Sequence, residues 1–154
     1  MTGSKWLLWL PVIPALIVFG TPMATHAAGG SEQQQVQKAP AKNRLVLQVS
    51  DGDPKKWGLA LNNAKNVQQD LGDDEVDIEI VAYGPGIAML KKDSEAGKGI
   101  ADALANGVKI VACENTMHGQ KLTYDDMLPK IGYVPAGVVE IMKKQQEGYA
   151  YVRP

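Results

Sequence analysis

The sequence predicts an α/β fold, a mainly parallel β-sheet with helices on both faces. Three observations carry this. Short apolar runs rich in Val, Ile and Leu alternate with segments whose apolar residues recur at helical spacing. The boundaries between them fall on Gly, Pro, Asp or Asn. Strands separated in this way by helices form crossover units, which join parallel neighbours.

The first run, RLVLQVS from Arg44, has the character of a buried strand and stops at the turn signal Asp51-Gly52. Asp53 then caps a helix with Pro54 in its first turn, where the missing N–H of proline is tolerated. Trp57, Ala60, Leu61, Ala64, Val67 and Leu71 form its apolar face, and Gly72 ends it. In VDIEIVAYG, Val76, Ile78 and Ile80 alternate with Asp77 and Glu79, which predicts a strand with one less covered face. Gly84-Pro85-Gly86 breaks that strand, and a short helical segment with Ile87 and Leu90 follows. Ser94 to Asn106 is the next helix, with Ile100 and Leu104 on its face and Gly107 as a left-handed cap. VKIVAC is the third long strand. Thr123 to Leu128 makes one or two helical turns, IGYVP a short strand, Ala136 to Gln146 a helix closed by Gly148, and YAYV a last short strand.

The amino terminus does not belong to this pattern. Lys5 precedes an apolar stretch from Trp6 to Phe19, and small residues follow as far as Ala27. That is the layout of a cleaved secretory signal, residues 1–27. The stretch is shorter than the ~20 residues of a membrane-spanning helix and holds Pro11 and Pro14, so no stable membrane anchor is expected. Residues 28–43 are polar without an apolar face and are expected to be a disordered leader. Residues 44–154 are then one domain, expected in the periplasm.

A net charge of −1 with no long block of one sign suggests neither a nucleic-acid groove nor a polybasic membrane patch. Without the signal, His118 is the only histidine and Cys113 the only cysteine. One Cys with one His does not supply a zinc ligand set, so no metal is expected, and no internal disulfide can form. Asp51 and Asp53 suit capping, and Asp73 and Asp74 a solvated turn. Gly84-Pro85-Gly86 lacks both the GxGxxG and the lysine-bearing phosphate-loop patterns, and no cofactor is expected.

Ligands of parallel sheets collect at the carboxyl ends of the strands. That places Ser50-Asp51-Gly52, Gly84-Pro85-Gly86, Cys113-Glu114-Asn115-Thr116 and Pro135-Ala136-Gly137 along one edge. Cys113 is the candidate nucleophile, and Asp51, Gly84, Gly86, Asn115 and Thr116 are candidate ligand-binding residues. A thiol acts through its thiolate, whose formation is favoured at a helix amino terminus. If Asn115-Thr116-Met117 starts a helical turn, its N–H groups point toward the Cys113 sulfur. Glu114 works against this unless its side chain faces away. The competing reading is a cysteine that packs as a small hydrophobe, and the residues alone leave both open. His118 could serve as a base only from a loop, since five residues along a helix is not one face; otherwise it is a surface histidine. Tyr124 and Tyr133 line the cleft or simply pack.

VACENTM, preceded by VAYGPGI and followed by YVPAGVVEIMKKQQEGYAYVRP, resembles the DsrE-like branch of the DsrE/DsrF/DsrH superfamily in its exported form. The resemblance covers Arg44 to Pro154. It implies a three-layer α/β sandwich, assembly into homo-oligomers, and sulfur relay, in which cytoplasmic members carry sulfur as a cysteine persulfide. By position in the motif, Cys113 is similar to the acceptor cysteine. The partners implied are sulfur donor and acceptor proteins or small sulfane-sulfur compounds, and no nucleic acid. The export signal and Glu114 depart from the best understood members. The expected function is a periplasmic sulfur carrier or sulfurtransferase; the alternative is a non-catalytic module that binds a small ligand or a partner, with Cys113 packed.

Overall fold

The computed structural model describes residues 42–154. The expected signal, and the expected leader as far as residue 41, lie outside the described residues. The elements run β1 (Asn43–Val49), α1 (Pro54–Leu71), β2 (Val76–Ala82), α2 (Gly97–Ala105), β3 (Lys109–Cys113), α3 (Glu114–Gly119), β4 (Gly132–Val134), α4 (Gly137–Gln146) and β5 (Ala150–Val152). Short 3₁₀ segments occupy Asp73–Glu75, Gly84–Leu90 and Tyr124–Asp126. The sheet order is β4-β3-β2-β1-β5, and every neighbouring pair is parallel.

Local chemistry sets the connections. Asp53 caps α1 by accepting the Lys55 N–H at 2.9 Å, with Pro54 in the first turn. The Trp57 indole donates to the Asp51 carbonyl at 2.7 Å and so ties the helix to the end of β1. Gly86 is buried against that same strand end: a Cβ there would lie 2.2 Å from the Val49 carbonyl oxygen, so only glycine fits.

Strand alternation sorts side chains onto two unequal faces. Leu45, Leu47 and Val49 of β1 stand beside Ile78, Ile80 and Ala82 of β2, and the row continues into Ile110 and Ala112 of β3. Trp57, Ala60 and Ala64 of α1, Ile100 of α2 and Met117 of α3 cover this face, with Ile87, Met89, Leu90 and Met127 filling in. Each large side chain sealed here contributes about 1.5–3 kcal/mol. The opposite face carries a smaller cluster, Val46 and Val81 under Ile141 of α4, with Tyr83, Val111 and Tyr149 partly buried around it.

The smaller face also holds a buried carboxylate. Glu79 is 4% exposed, and its Oε2 lies 3.4 Å from Lys144 Nζ, while its Oε1 has no hydrogen-bond partner. Lys144 is shared with Glu140 at 3.6 Å and Glu147 at 3.4 Å and lies over the Tyr149 ring. Burial raises the Glu79 pKa and outweighs the attraction of Lys144. Burial pulls Lys144 down, yet Glu79 and its other neighbours leave it net raised. The partners therefore differ: Lys144 is comfortable as an ion, and Glu79 bears the cost, because one of its oxygens is sealed off without a donor.

Candidate functional site

Cys113 is the last residue of β3 and the N-cap of α3, at φ −80° and ψ 113°. Its chain position makes it the hinge between an extended strand and a helix that starts at once. The residue is 5% exposed, yet it belongs to neither apolar cluster. Its side chain makes no capping hydrogen bond to α3, and nearby polar groups act on the sulfur through their charge distribution. Burial pushes the thiol pKa up, but the Thr116 hydroxyl and the backbone N–H groups of Gly137, Thr116 and Asn115 more than offset this, and the thiol lies below its ordinary value.

The donors come from two elements on two sides of the cysteine. Thr116 lies in α3, and its Oγ1 accepts the Gly84 N–H at 3.0 Å. With that lone pair occupied, its own proton is free for Cys113. Gly84 takes a left-handed φ of 53° to present its N–H, and its carbonyl accepts the Gln120 amide at 3.2 Å. Gly137 opens α4, whose N-cap, Ala136, offers no side-chain acceptor to the first turn. The Asn115 N–H also reaches the Pro135 carbonyl at 3.1 Å, which draws the β4–α4 connection against α3.

Glu114 faces away from the sulfur. Its carboxylate accepts the Tyr124 hydroxyl at 2.5 Å, and the Tyr124 ring meets Tyr133 edge to face at 4.6 Å. His118 sits in the last turn of α3, exposed, and with Glu114, Met117, Leu122, Thr123 and Tyr124 lines a cavity of about 280 Å³. The helix that a Cys113–His118 pair had to avoid does form, and the thiol's donors do not include His118. Among the described residues, no group of three or more His, Cys, Asp or Glu could hold a metal ion. No described helix is long and apolar enough to cross a membrane.

The other expected residues fall at different distances from this centre. The Thr116 hydroxyl and the Asn115 backbone both favour the Cys113 thiolate, while the Asn115 side chain is exposed. Gly84 acts one step back, through Thr116. The Gly86 N–H is donated to the Tyr83 carbonyl at 3.1 Å, so its visible role is the close approach to β1. Asp51 is half exposed, and its carboxylate lies 3.5 Å from the Arg153 guanidinium.

Sequence reasoning put Gly137 on this edge without giving it a role, and it did not single out Tyr83. A Cβ on Gly137 would lie 3.0 Å from Tyr83 Cβ and 3.2 Å from Cγ, so glycine lets α4 start in contact with that ring. Tyr83 follows β2 directly, and Ala82 is paired with Ala112, so Tyr83 and Cys113 are the next residues of adjacent strands on the same face. The signal available was that VDIEIVAYG and VKIVAC keep the same alternation to their ends. Chemically, the arrangement favours a negative charge on a sulfur that is shielded from bulk water.

A family model described as DsrE/DsrF-like family matches residues 44–154. A solved structure of a protein of unknown function from Methanobacterium thermoautotrophicum is 35% identical, covering 73% of this chain and 99% of that one, with a TM-score of 0.69. A protein of unknown function from Bacteroides thetaiotaomicron is 15% identical over 76% of this chain and 100% of its own, with a TM-score of 0.60, a likeness of fold. No curated protein matches the chain.

Proposed function

The chain belongs to the DsrE/DsrF-like family, and on that premise we propose that it is an exported sulfur carrier that holds sulfane sulfur as a persulfide on Cys113. Membership supports a fold related to sulfur relay. The observation that carries the finer reading is the place of Cys113, buried outside the apolar clusters at the junction of β3 and α3, where Thr116, Gly137 and Asn115 favour its thiolate.

The Cys113 thiolate attacks the sulfane sulfur of a donor. A new bond to Sγ forms as the donor's S–S bond breaks, and the leaving group departs with the electron pair. The outer sulfur of the persulfide then carries the negative charge, and discharge is the reverse attack by an acceptor thiolate, with Cys113 leaving as thiolate. No external oxidant or reductant enters. The same donors favour Cys113 as nucleophile and as leaving group. The proposal places the mature protein in the periplasm, as a homo-oligomer meeting donor and acceptor proteins or small sulfane-sulfur compounds.

Mass spectrometry after incubation with polysulfide, or with thiosulfate plus a donor enzyme, should show one added sulfur on Cys113 and none in Cys113→Ser. Unmodified thiol under every donor overturns the carrier. The 5% exposure favours a second reading, a binding module whose cysteine packs. Alkylation by iodoacetamide separates the two: a thiol that reacts only after unfolding belongs to the module.

A further inference from the structure

The carboxyl edge of the smaller face has a polar row that the mechanism above does not use. Val49 is paired with Ala82, and Ala82 with Ala112, so the residues that follow, Ser50, Tyr83 and Cys113, stand side by side on adjacent strands. Leu47 is paired with Val152, which sets Arg153 beside Gln48 on this face. The Tyr151 hydroxyl donates to Gln48 Oε1 at 2.6 Å, and Gln48 Nε2 donates to Ser50 Oγ at 3.0 Å. These bonds fix the row from the β5 edge inward. The hydroxyls of Tyr124 and Tyr151 are bonded to Glu114 and Gln48, whereas that of Tyr83 has no partner among the described residues.

The Tyr83 ring also packs on Gly137, whose N–H is a donor to Cys113. By register Tyr83 flanks the thiol, and Gln48 and Ser50 stand between Tyr83 and Arg153, whose guanidinium reaches Asp51 just past the end of β1. Burial, then the nearby Tyr151, keeps the Tyr83 phenol above its ordinary pKa, with Arg153 opposing and the Cys113 charge adding to the rise. It thus stays a hydrogen-bond donor at neutral pH. Arg153 reaches only one acid among the described ion pairs, Asp51 at 3.5 Å, and both side chains are about half exposed. Such a contact is weak and exchangeable for another anion.

We propose that Tyr83 and Arg153 form an anion subsite along the carboxyl edge that carries Cys113, which selects sulfur donors bearing a sulfonate or carboxylate group. Asp51 is then the counter-ion that the donor's anionic group displaces. This rests on Cys113 as the sulfur acceptor, but the subsite can be tested without any sulfur loading.

The probes are sulfonatoethyl and trimethylammonioethyl methanethiosulfonate, of similar reach and opposite charge. In both, the thiolate attacks the thiol sulfur, a mixed disulfide forms and methanesulfinate leaves with the electron pair. The ratio of the anionic to the cationic rate should fall about fivefold in Arg153→Met, the size expected of one partly screened charge. It should be retained in Arg153→Lys, rise about twofold in Asp51→Asn, and fall about twofold in Tyr83→Phe. An unchanged ratio in both Arg153→Met and Asp51→Asn overturns the subsite, even if Cys113 takes up sulfur. A ratio that responds while Cys113 never takes up sulfur keeps the anion subsite and overturns the carrier. A native thiol that neither probe reaches overturns both.

Discussion

The two faces of one sheet are built for different tasks. Under α1, α2 and α3, Leu47, Ile80 and Ile110 are sealed among apolar neighbours with no charge among them. Under α4, the apolar cluster is Val46, Val81 and Ile141, and beside it lie a buried ion pair and a thiol whose ionised form is favoured by polar neighbours. The first face stabilises the fold, and the second tolerates groups that cost energy to bury because the first holds the chain in register. Register is shared: a strand fixed on one face by Leu45, Leu47 and Val49 has no freedom to shift what it presents on the other.

If the division holds, a cavity in the thick face should change stability alone. Leu47→Ala should lower the unfolding free energy by about 2–5 kcal/mol in urea denaturation, while the pH profile of Cys113 alkylation in the folded protein stays as in the parent. A shifted profile would break the comparison. Gly137→Ala acts on the thin face, where the added methyl meets Tyr83 at 3.0 Å. It should cost about 1–3 kcal/mol, and it should move the alkylation profile to higher pH, because α4 can no longer bring its first N–H to the sulfur.

Thr116→Val should be smaller in stability and visible mainly in reactivity. It removes the hydroxyl donor to Cys113 and the acceptor of the Gly84 N–H. Alkylation at neutral pH should slow about tenfold, the loss of one hydrogen bond to a charged group. Glu79→Gln should have the least effect at neutral pH, within about 1 kcal/mol, since Lys144 keeps Glu140 and Glu147. Its signature is the pH dependence. A carboxyl whose folded pKa is raised above 4.5 gives stability that is full below the unfolded value and is lost as pH rises through the folded one. The parent should lose stability across that window in denaturation at stepped pH, and Glu79→Gln should not.

Much of this was legible before any coordinates. The alternation in VDIEIVAYG foretold a strand with unequal faces, and Ile78 and Ile80 do enter the thick core while Asp77 and Glu79 turn to the other side. Asp53-Pro54 and Gly72 bound α1 as their backbone chemistry requires. VKIVAC ended where the polar run began, and that put Cys113 at the carboxyl edge. The register between strands was not legible, because the packing of helices against the sheet sets it. For that reason Tyr83, thirty positions from Cys113, did not declare itself its neighbour. The Gly137 N–H was hidden for a different reason: a backbone donor has no side chain to mark it. Gly86 had a mark that pointed two ways, since a glycine that lets a ligand approach and one that lets a carbonyl approach look the same in sequence.

Three of the donors around Cys113 are peptide nitrogens, supplied by Asn115, Thr116 and Gly137. Ordinary substitution cannot delete such a group; only proline removes it. Drift at these positions thus alters bulk and leaves the amides in place, and a descendant that traded the cysteine for another small residue would inherit a ready-made cradle for some other negatively charged atom.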